Sequence, residues 1–474
     1  MQLDPRGEFR SAFDVSKSIS CGEEMRPIPG TNGFRMMSSS EAEIIRRAVA
    51  DVIDEAVERL RAGVRMASIN PSVEDGGGEG AFQQFVAAEL DSLGCRVESW
   101  ETDADALAAW YPDIRGALRP EGFRGRPNVI GWIPSAERPD GQRAAVILNS
   151  HADTVAPGDT AAWKHPPFSA HLEQGTIYGL GVADAKGSLF TFIGAVRALR
   201  RAGIRLRRGA MIQSVVDEEW GGAGALECLR RGYTAGAALI GEPTELRVCP
   251  GSRGAMNLRI RVSGRKAHPG EGWRGVNAIR KTWLYIDALD RLRDDLDRTK
   301  MHPLWAPLKV GHVWNLMGLS GGPVGRVGRS VPDACEVTIG IGMIGTERRE
   351  TMQPIIEAAL RRVTADDAWL SAHPPEITWL PGGFDPAVAD AAHPAVTALA
   401  HSLADLDHPA TIEALSAATD GRHLVNAGGV PAVNFGPGEM HLAHSPMESL
   451  RVADFQKGIE AVALFLTRYC GGES

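Results

Sequence analysis

The stretch AAVILNSHADTV, residues 144–155, stays apolar as far as Leu148 and then turns polar, passing through His151 and Asp153. A short, continuous apolar run suits a strand buried on both faces of a parallel sheet, where alternation of polar and apolar side chains is not needed. The same form recurs in AMIQSVV (210–216), GAALIGE (236–242) and PAVNFGPG (431–438). Helically spaced segments precede and separate these runs: EAEIIRRAVADVIDEAVERLRAG (41–63), GAFQQFVAAELDSLG (80–94), GSLFTFIGAVRALRRAG (187–203) and GAGALECLRRG (222–232). Strands alternating with helices predict an α/β fold, a mostly parallel sheet flanked by helices.

From about Ala255 the pattern changes. AMNLRIRVSGR (255–265) alternates like a half-exposed strand, and residues 275–296 form a long amphipathic helix. Strand candidates follow in LKVGHVWNLMG (308–318) and ACEVTIGIGMI (334–344), then a helix over 346–366 and a last strand, EITWL (376–380). This β-α-β-β-α-β order predicts a ferredoxin-like α+β domain inserted into the first. The expected division is a poorly ordered extension over 1–38, a main domain in two parts over 39–250 and 374–474, and an inserted lid over 251–373.

A chain of 474 residues with 43% hydrophobic and 23% charged residues has the composition of a soluble globular protein. Its net charge of −8 argues against nucleic acid or an anionic membrane as partner. No apolar run approaches the roughly 20 residues that span a bilayer, and the first residues carry no secretory apolar core. Cys21, Cys95, Cys228, Cys249, Cys335 and Cys470 are scattered without a C-x-x-C pair. That pattern suits reduced, buried thiols and predicts a cytoplasmic location.

The chemistry-bearing residues fall at strand ends. AAVILNSHADTV delivers His151 and Asp153, IYGLGVADAKG brings Asp184 to a helix start, SVVDEEWGG holds Glu218 and Glu219, and ALIGEPTE holds Glu242. Late in the chain NFGPGEMHLAHSPMES adds His444. Ligand sites of open α/β sheets lie beyond the carboxyl ends of the strands, so these loops should converge. Two histidines and three carboxylates, one of them bridging, suffice for two divalent ions. Nitrogen and oxygen donors without Cys suit zinc, with cobalt or manganese as alternatives. Glu218 and Glu219 pose a puzzle, since neighbours on a strand point to opposite faces. It resolves if the strand ends at Val216 and both acids sit on the loop beyond.

The ordered set H-A-D-T-V, G-x-x-D-A-K-G, D-E-E, G-E-P and A-H-S-P-M-E resembles the metallopeptidase and deacylase family of acetylornithine deacetylase, succinyl-diaminopimelate desuccinylase, aminoacylase and glutamate carboxypeptidase. The likeness covers roughly residues 40–470 and extends to WKHPPF, AHPGEGWRGVNAI and TDGR. It implies His151, Asp184 and Glu242 as ligands of one ion, and the bridging Asp184, Glu219 and His444 as ligands of the other. It further implies that Asp153 bonds the far nitrogen of His151, that Glu218 is the general base, and that His268 stabilises the oxyanion, often across a dimer interface. His441 is read as outside the ligand set, because only His444 fits the A-H-x-x-x-E frame.

The implied reaction is hydrolysis of a linear amide, by a homodimer joined through the lid. Two departures bear on substrate. Leu180 stands where relatives have the arginine of G-R-G, and Gly342 stands where a lid arginine is common. Arg422 and Asn315 remain as candidate substrate contacts, and a substrate lacking a free α-carboxylate is expected. The competing readings are an aminopeptidase or dipeptidase of the same family, and a non-catalytic metal-containing binding protein.

Overall fold

The computed structural model describes residues 37–72, 76–119, 122–137, 141–322 and 328–473. The extension expected over 1–38 lies outside the described residues as far as residue 36. Ser38 opens the first helix, Ser39–Arg65, with a capping box: Glu41 N–H donates to its hydroxyl, and the Glu41 carboxylate accepts from Ser38 N–H at 2.9 Å. The apolar stripe of that helix, including Ile45, Val49, Leu60 and Val64, is buried. It packs against the helix Lys186–Arg201. Gly63 permits the approach, since a Cβ there would lie 2.8 Å from the Phe190 ring.

Among the described residues, nine strands form the central sheet. Its middle is parallel: Ala210–Val215, Arg143–His151, Thr234–Ile240 and Ala432–Asn434 lie side by side in that order. Leu148 pairs with Ile212 on one side and Leu239 on the other, so the apolar runs read from the sequence stack in one layer. The flanks are antiparallel, with Pro127–Ile133 and Arg96–Glu101 on one edge and Val248–Ser252 with Ala387–Val388 on the other. Helices cover both faces, and the buried side chains of Ala210–Val215 and of residues 146–151 explain why neither strand alternates there.

A second, four-stranded antiparallel sheet has the order Trp314–Ser320, Ala334–Met343, Gly254–Ser263, Glu376–Phe384. With the helices Ala278–Lys300 and Arg349–Asp366 it has the ferredoxin-like β-α-β-β-α-β order. Its own core gathers Leu258, Ile260, Tyr285, Leu289, Val337, Ile339 and Ile356. The strand expected over 308–318 starts only at Trp314. Pro307 sits in a short 3-10 turn, Lys309 is left-handed at φ 58°, and Arg253 Nη2 donates to Val310 O at 3.1 Å, which holds this loop out of the sheet. Arg253 Nε also donates to Ser416 O at 2.7 Å, tying the loop to the central sheet's side of the molecule. Among the described residues no helix is long and apolar enough to cross a membrane. Cys95, Cys228, Cys249, Cys335 and Cys470 are free and buried, and Cys21 lies outside the described residues.

Candidate active site

Parallel strands bring their carboxyl ends to one edge of the sheet, and the loops beyond them carry the polar cluster. His151 is the last residue of its strand, and Asp184 stands just before the helix Lys186–Arg201. Ligand-capable atoms of His151, Asp184 and Glu219 all lie within 4.8 Å of one another. His151 Nε2 is 3.0 Å from Asp184 Oδ1, while His444 Nε2 is 3.2 Å from Asp184 Oδ2 and 3.0 Å from Glu219 Oε1. Each oxygen of Asp184 thus faces a different histidine. Glu242 is buried in the same region, where Asp184 and Glu218 repel it. His441 points away, exposed, with Nε2 3.5 Å from Glu439 Oε2.

The charge balance of this cluster is that of a cation site. Burial, then repulsion from Asp184, drives Glu242 well above the usual carboxylate range, and burial lifts Glu219 to about 7. Burial works against protonating His444, yet Asp184 and Glu219 raise its pKa to about 11. His151 is likewise held well above the ordinary imidazole value by Asp153 and Asp184, against the effect of burial. Burying Asp184, Glu219 and Glu242 in one region is costly without a compensating cation, and the nitrogen and oxygen donors there could hold a metal ion. The set is mixed nitrogen and oxygen with no thiolate, as zinc and similar ions accept.

The turn of VVDEEWGG separates its two glutamates. The strand ends at Val215, and Asp217 takes a left-handed φ of 74°. Glu219 then meets His444, whereas Glu218 Oε1 accepts from Arg422 Nη1 at 2.9 Å. Asp153 is the anchor of this turn. Its Oδ1 accepts from Glu218 N–H at 3.2 Å, and its Oδ2 accepts from Glu219 N–H at 3.1 Å and from Asn70 Nδ2 at 2.7 Å. The far nitrogen of His151 is met differently from the expectation. Nδ1 lies 2.9 Å from the Asp153 main-chain carbonyl and 3.6 Å from its carboxylate, so the carbonyl makes that hydrogen bond.

Gly222 completes the turn at φ 72°, where a Cβ would collide with Asp420 and His423. The His423 ring is buried against this turn, with Nε2 3.0 Å from Gly221 O.

Several supporting residues carried no role in the sequence reading. Arg126 Nη2 reaches Asp217 Oδ1 at 3.2 Å and Glu79 Oε1 at 3.1 Å, all three being buried. Glu448 Oε1 accepts from the N–H groups of Ala183 at 3.0 Å and Asp184 at 3.2 Å. One carboxylate thereby joins the loop bearing Asp184 to the segment that delivers His444. Asp217 and Glu448 did stand inside quoted motifs, which was their available signal. Asn70, Glu79 and Arg126 gave none, because their partners are distant in the chain.

The two candidates on the four-stranded unit are not brought to the cluster. His268 is exposed, with Nδ1 accepting from Gly270 N–H at 3.2 Å, and Asn315 is exposed on the edge strand Trp314–Ser320. Arg422 is buried, its guanidinium 4.6 Å from the Phe384 ring centroid as well as bonded to Glu218. At Gly342 a Cβ would lie 2.8 Å from Val313 O, so this strand has no room for any larger residue, arginine included. Beyond the turn, Tyr111, Trp220, Phe384 and His423 line a cavity of about 310 Å³.

The chain is similar to an N-formyl-4-amino-5-aminomethyl-2-methylpyrimidine deformylase of Bacillus subtilis (strain 168), with 28% identity over 411 residues, 82% of this chain and 89% of that protein. Its fold matches an M20-family metallo-carboxypeptidase from Sulfolobus solfataricus at a TM-score of 0.65 and 17% identity, covering 88% of this chain and 99% of the other. A dinuclear metal-binding M20 peptidase from Bacillus subtilis matches at a TM-score of 0.56 and 15% identity, covering 88% of this chain and 98% of the other. With residues 147–468 matching the family as a whole, the chain belongs to peptidase family M20/M25/M40 and is a metal-dependent hydrolase of amide bonds.

Proposed function

We propose that this hydrolase holds two divalent ions and cleaves a linear amide, an N-acyl amine or a compound like an N-acyl amino acid, to a carboxylate and an amine. The observation that carries the reading is the divergence of Glu218 and Glu219, one beside His444 and Asp184, the other turned to Arg422. His151, Asp184 and Glu242 would hold one ion, and Asp184, Glu219 and His444 would hold the other. Zinc best suits these donors, with cobalt or manganese as alternatives. Bound there, the ions would supply Lewis-acid polarisation of the amide carbonyl and a lowered pKa of water.

Glu218 takes the proton of the attacking water and passes it to the departing amine nitrogen. Asp153 fixes the main chain of both glutamates, so neither can drift into the other's task. His268 donates a hydrogen bond where negative charge develops on the carbonyl oxygen. Its exposed position supports delivery into the site of a second copy. The edge strand supports the same homodimer, since Leu316, Met317 and Leu319 are 48%, 66% and 51% exposed there. The buried free thiols support a reducing, cytoplasmic compartment.

The substrate is read as an N-acyl amine without a free α-carboxylate. Gly342 supports this, as does the formyl amide named for the Bacillus subtilis relative. Aromatic walls at Tyr111, Trp220 and Phe384, next to the catalytic turn, support a flat ring on the amine side. The test compares kcat/KM on N-formyl and N-acetyl arylmethylamines, N-acyl amino acids and dipeptides. The amines without a carboxylate should lead by about 10-fold or more, the discrimination a mismatched pocket gives. A large preference for the free acids that disappears in Arg422→Ala contradicts this substrate, and a preference for dipeptides favours the peptidase reading.

A further inference from the structure

A buried charge network underlies the turn that carries Glu218 and Glu219 and takes no part in the proposed proton transfer. Glu79, Asp153 and Asp217 are 1%, 0% and 1% exposed, and Arg126, itself 8% exposed, is set among them. Arg126 Nε and Nη2 both donate to the Glu79 carboxylate, Nη2 at 3.1 Å. Nη2 also lies 3.2 Å from Asp217 Oδ1 and 3.3 Å from Asn70 Oδ1.

Asn70 is buried and carries the contact onward. Its Oδ1 accepts from Ser72 N–H at 2.8 Å as well as from Arg126, so two donors fix which way the amide points. Its Nδ2 must then face the acids, 2.7 Å from Asp153 Oδ2 and 3.4 Å from Asp217 Oδ1. Both acids grip the turn. Asp153 accepts from the N–H groups of Glu218 and Glu219, and the Asp217 main-chain carbonyl accepts from Gly221 N–H at 3.0 Å and Gly222 N–H at 2.6 Å. Without the guanidinium, three buried acids face one another with the cation between them gone, and the turn they hold is free to shift.

We infer that Arg126 and Asn70 are positioning residues for the proposed general base. Acting through Asp153 and Asp217, they keep the turn in the shape that sends Glu218 and Glu219 apart, and neither lines the cavity beside Trp220. The inference rests on Glu218 being the proton carrier.

The test measures kcat, KM, bound metal and melting for Arg126→Ala and Asn70→Leu, with metal in excess and on the amide that the wild type cleaves best. Both variants should lose about 10–100-fold in kcat, the effect of removing support behind a working residue, with KM and metal content unchanged. Guanidinium chloride at low millimolar concentration should restore turnover in Arg126→Ala but not in Asn70→Leu. Methylammonium at the same concentration should restore neither, because a point charge cannot reproduce the planar fork. Wild-type kcat in Arg126→Ala, or a loss there that guanidinium leaves uncorrected, overturns the inference. If Arg126→Ala has no cooperative melt, Asn70→Leu decides alone, and wild-type kcat in that variant overturns it. Glu218→Gln separates the two readings. Turnover near wild type there breaks the base assignment, whereas an inactive Glu218→Gln beside a fully active Arg126→Ala and Asn70→Leu breaks only the positioning role.

Discussion

The loops of the central sheet and the four-stranded unit treat their polar residues in opposite ways. At the sheet edge, His151, Asp184, Glu219 and His444 meet within hydrogen-bonding distance although up to 293 positions separate His151 from His444 (444 − 151). On the four-stranded unit, His268 and Asn315 stand in solvent. Parallel strands deliver every loop to one edge, so convergence there follows from topology. An antiparallel sheet with one face packed on helices has no such edge, and its exposed residues find partners only through another surface.

That contrast can be broken most forcefully at Asp184, the carboxylate facing both histidines. Asp184→Ala should lower amide turnover to background and reduce bound metal, as read by mass spectrometry. Turnover with undiminished metal would separate the cluster from the reaction. The next effect lies on the other side of the comparison. His268→Ala should cost about 10²–10³ in kcat, the loss expected for one oxyanion donor. If the donor comes from a second copy, mixing His268→Ala with Glu218→Gln chains should restore activity through hybrid dimers. No recovery on mixing would place His268 on its own chain's site.

A smaller loss is expected at Glu448, which holds the Ala183 and Asp184 main chain. Glu448→Ala should weaken metal affinity about 10–100-fold, as loss of a hydrogen bond behind a ligand does, with the fold intact by circular dichroism. An unchanged affinity would show that the Asp184 loop holds its shape alone.

The smallest effect concerns stability rather than turnover. His312 is enclosed between Asp297 Oδ1 at 2.6 Å and Glu347 Oε1 at 2.9 Å. Burial opposes its charge, but Glu347 and Asp297 together hold its pKa above the usual imidazole value. A raised folded-state pKa stabilises the fold fully below the unfolded value of about 6.5, and the gain is lost as pH rises through the folded value. His312→Ala should therefore cost about 1 kcal/mol at pH 6, since the two acids stay part-exposed and solvent screens the pair. The gap between wild type and variant in urea unfolding should shrink toward pH 9. A gap that widens with pH would reverse the assignment of charge.

Much of this arrangement was legible in the sequence because it is local. The apolar runs at 144–148 and 210–216 became parallel strands, and the polar residues after them became the loops at the sheet edge. The reach of side chains across the fold was not legible. Nothing near Asp153 in the chain announces that its carboxylate caps Glu218 and Glu219, nor that its carbonyl holds His151. The sequence marks Arg422 as a candidate substrate contact, and only the packing shows that it also bonds to Glu218. The late start of the strand at Trp314 likewise depends on Arg253 gripping the preceding loop, a contact 57 positions long.

The central claim is that adjacent glutamates divide into a proton carrier and a ligand. The direct measurement is metal content and turnover, side by side, for Glu218→Gln and Glu219→Gln. Glu218→Gln should keep the wild-type metal content while losing about 10²–10⁴ in kcat, and Glu219→Gln should lose metal as well as turnover. Loss of metal from Glu218→Gln, or turnover near wild type in that variant, would contradict the account.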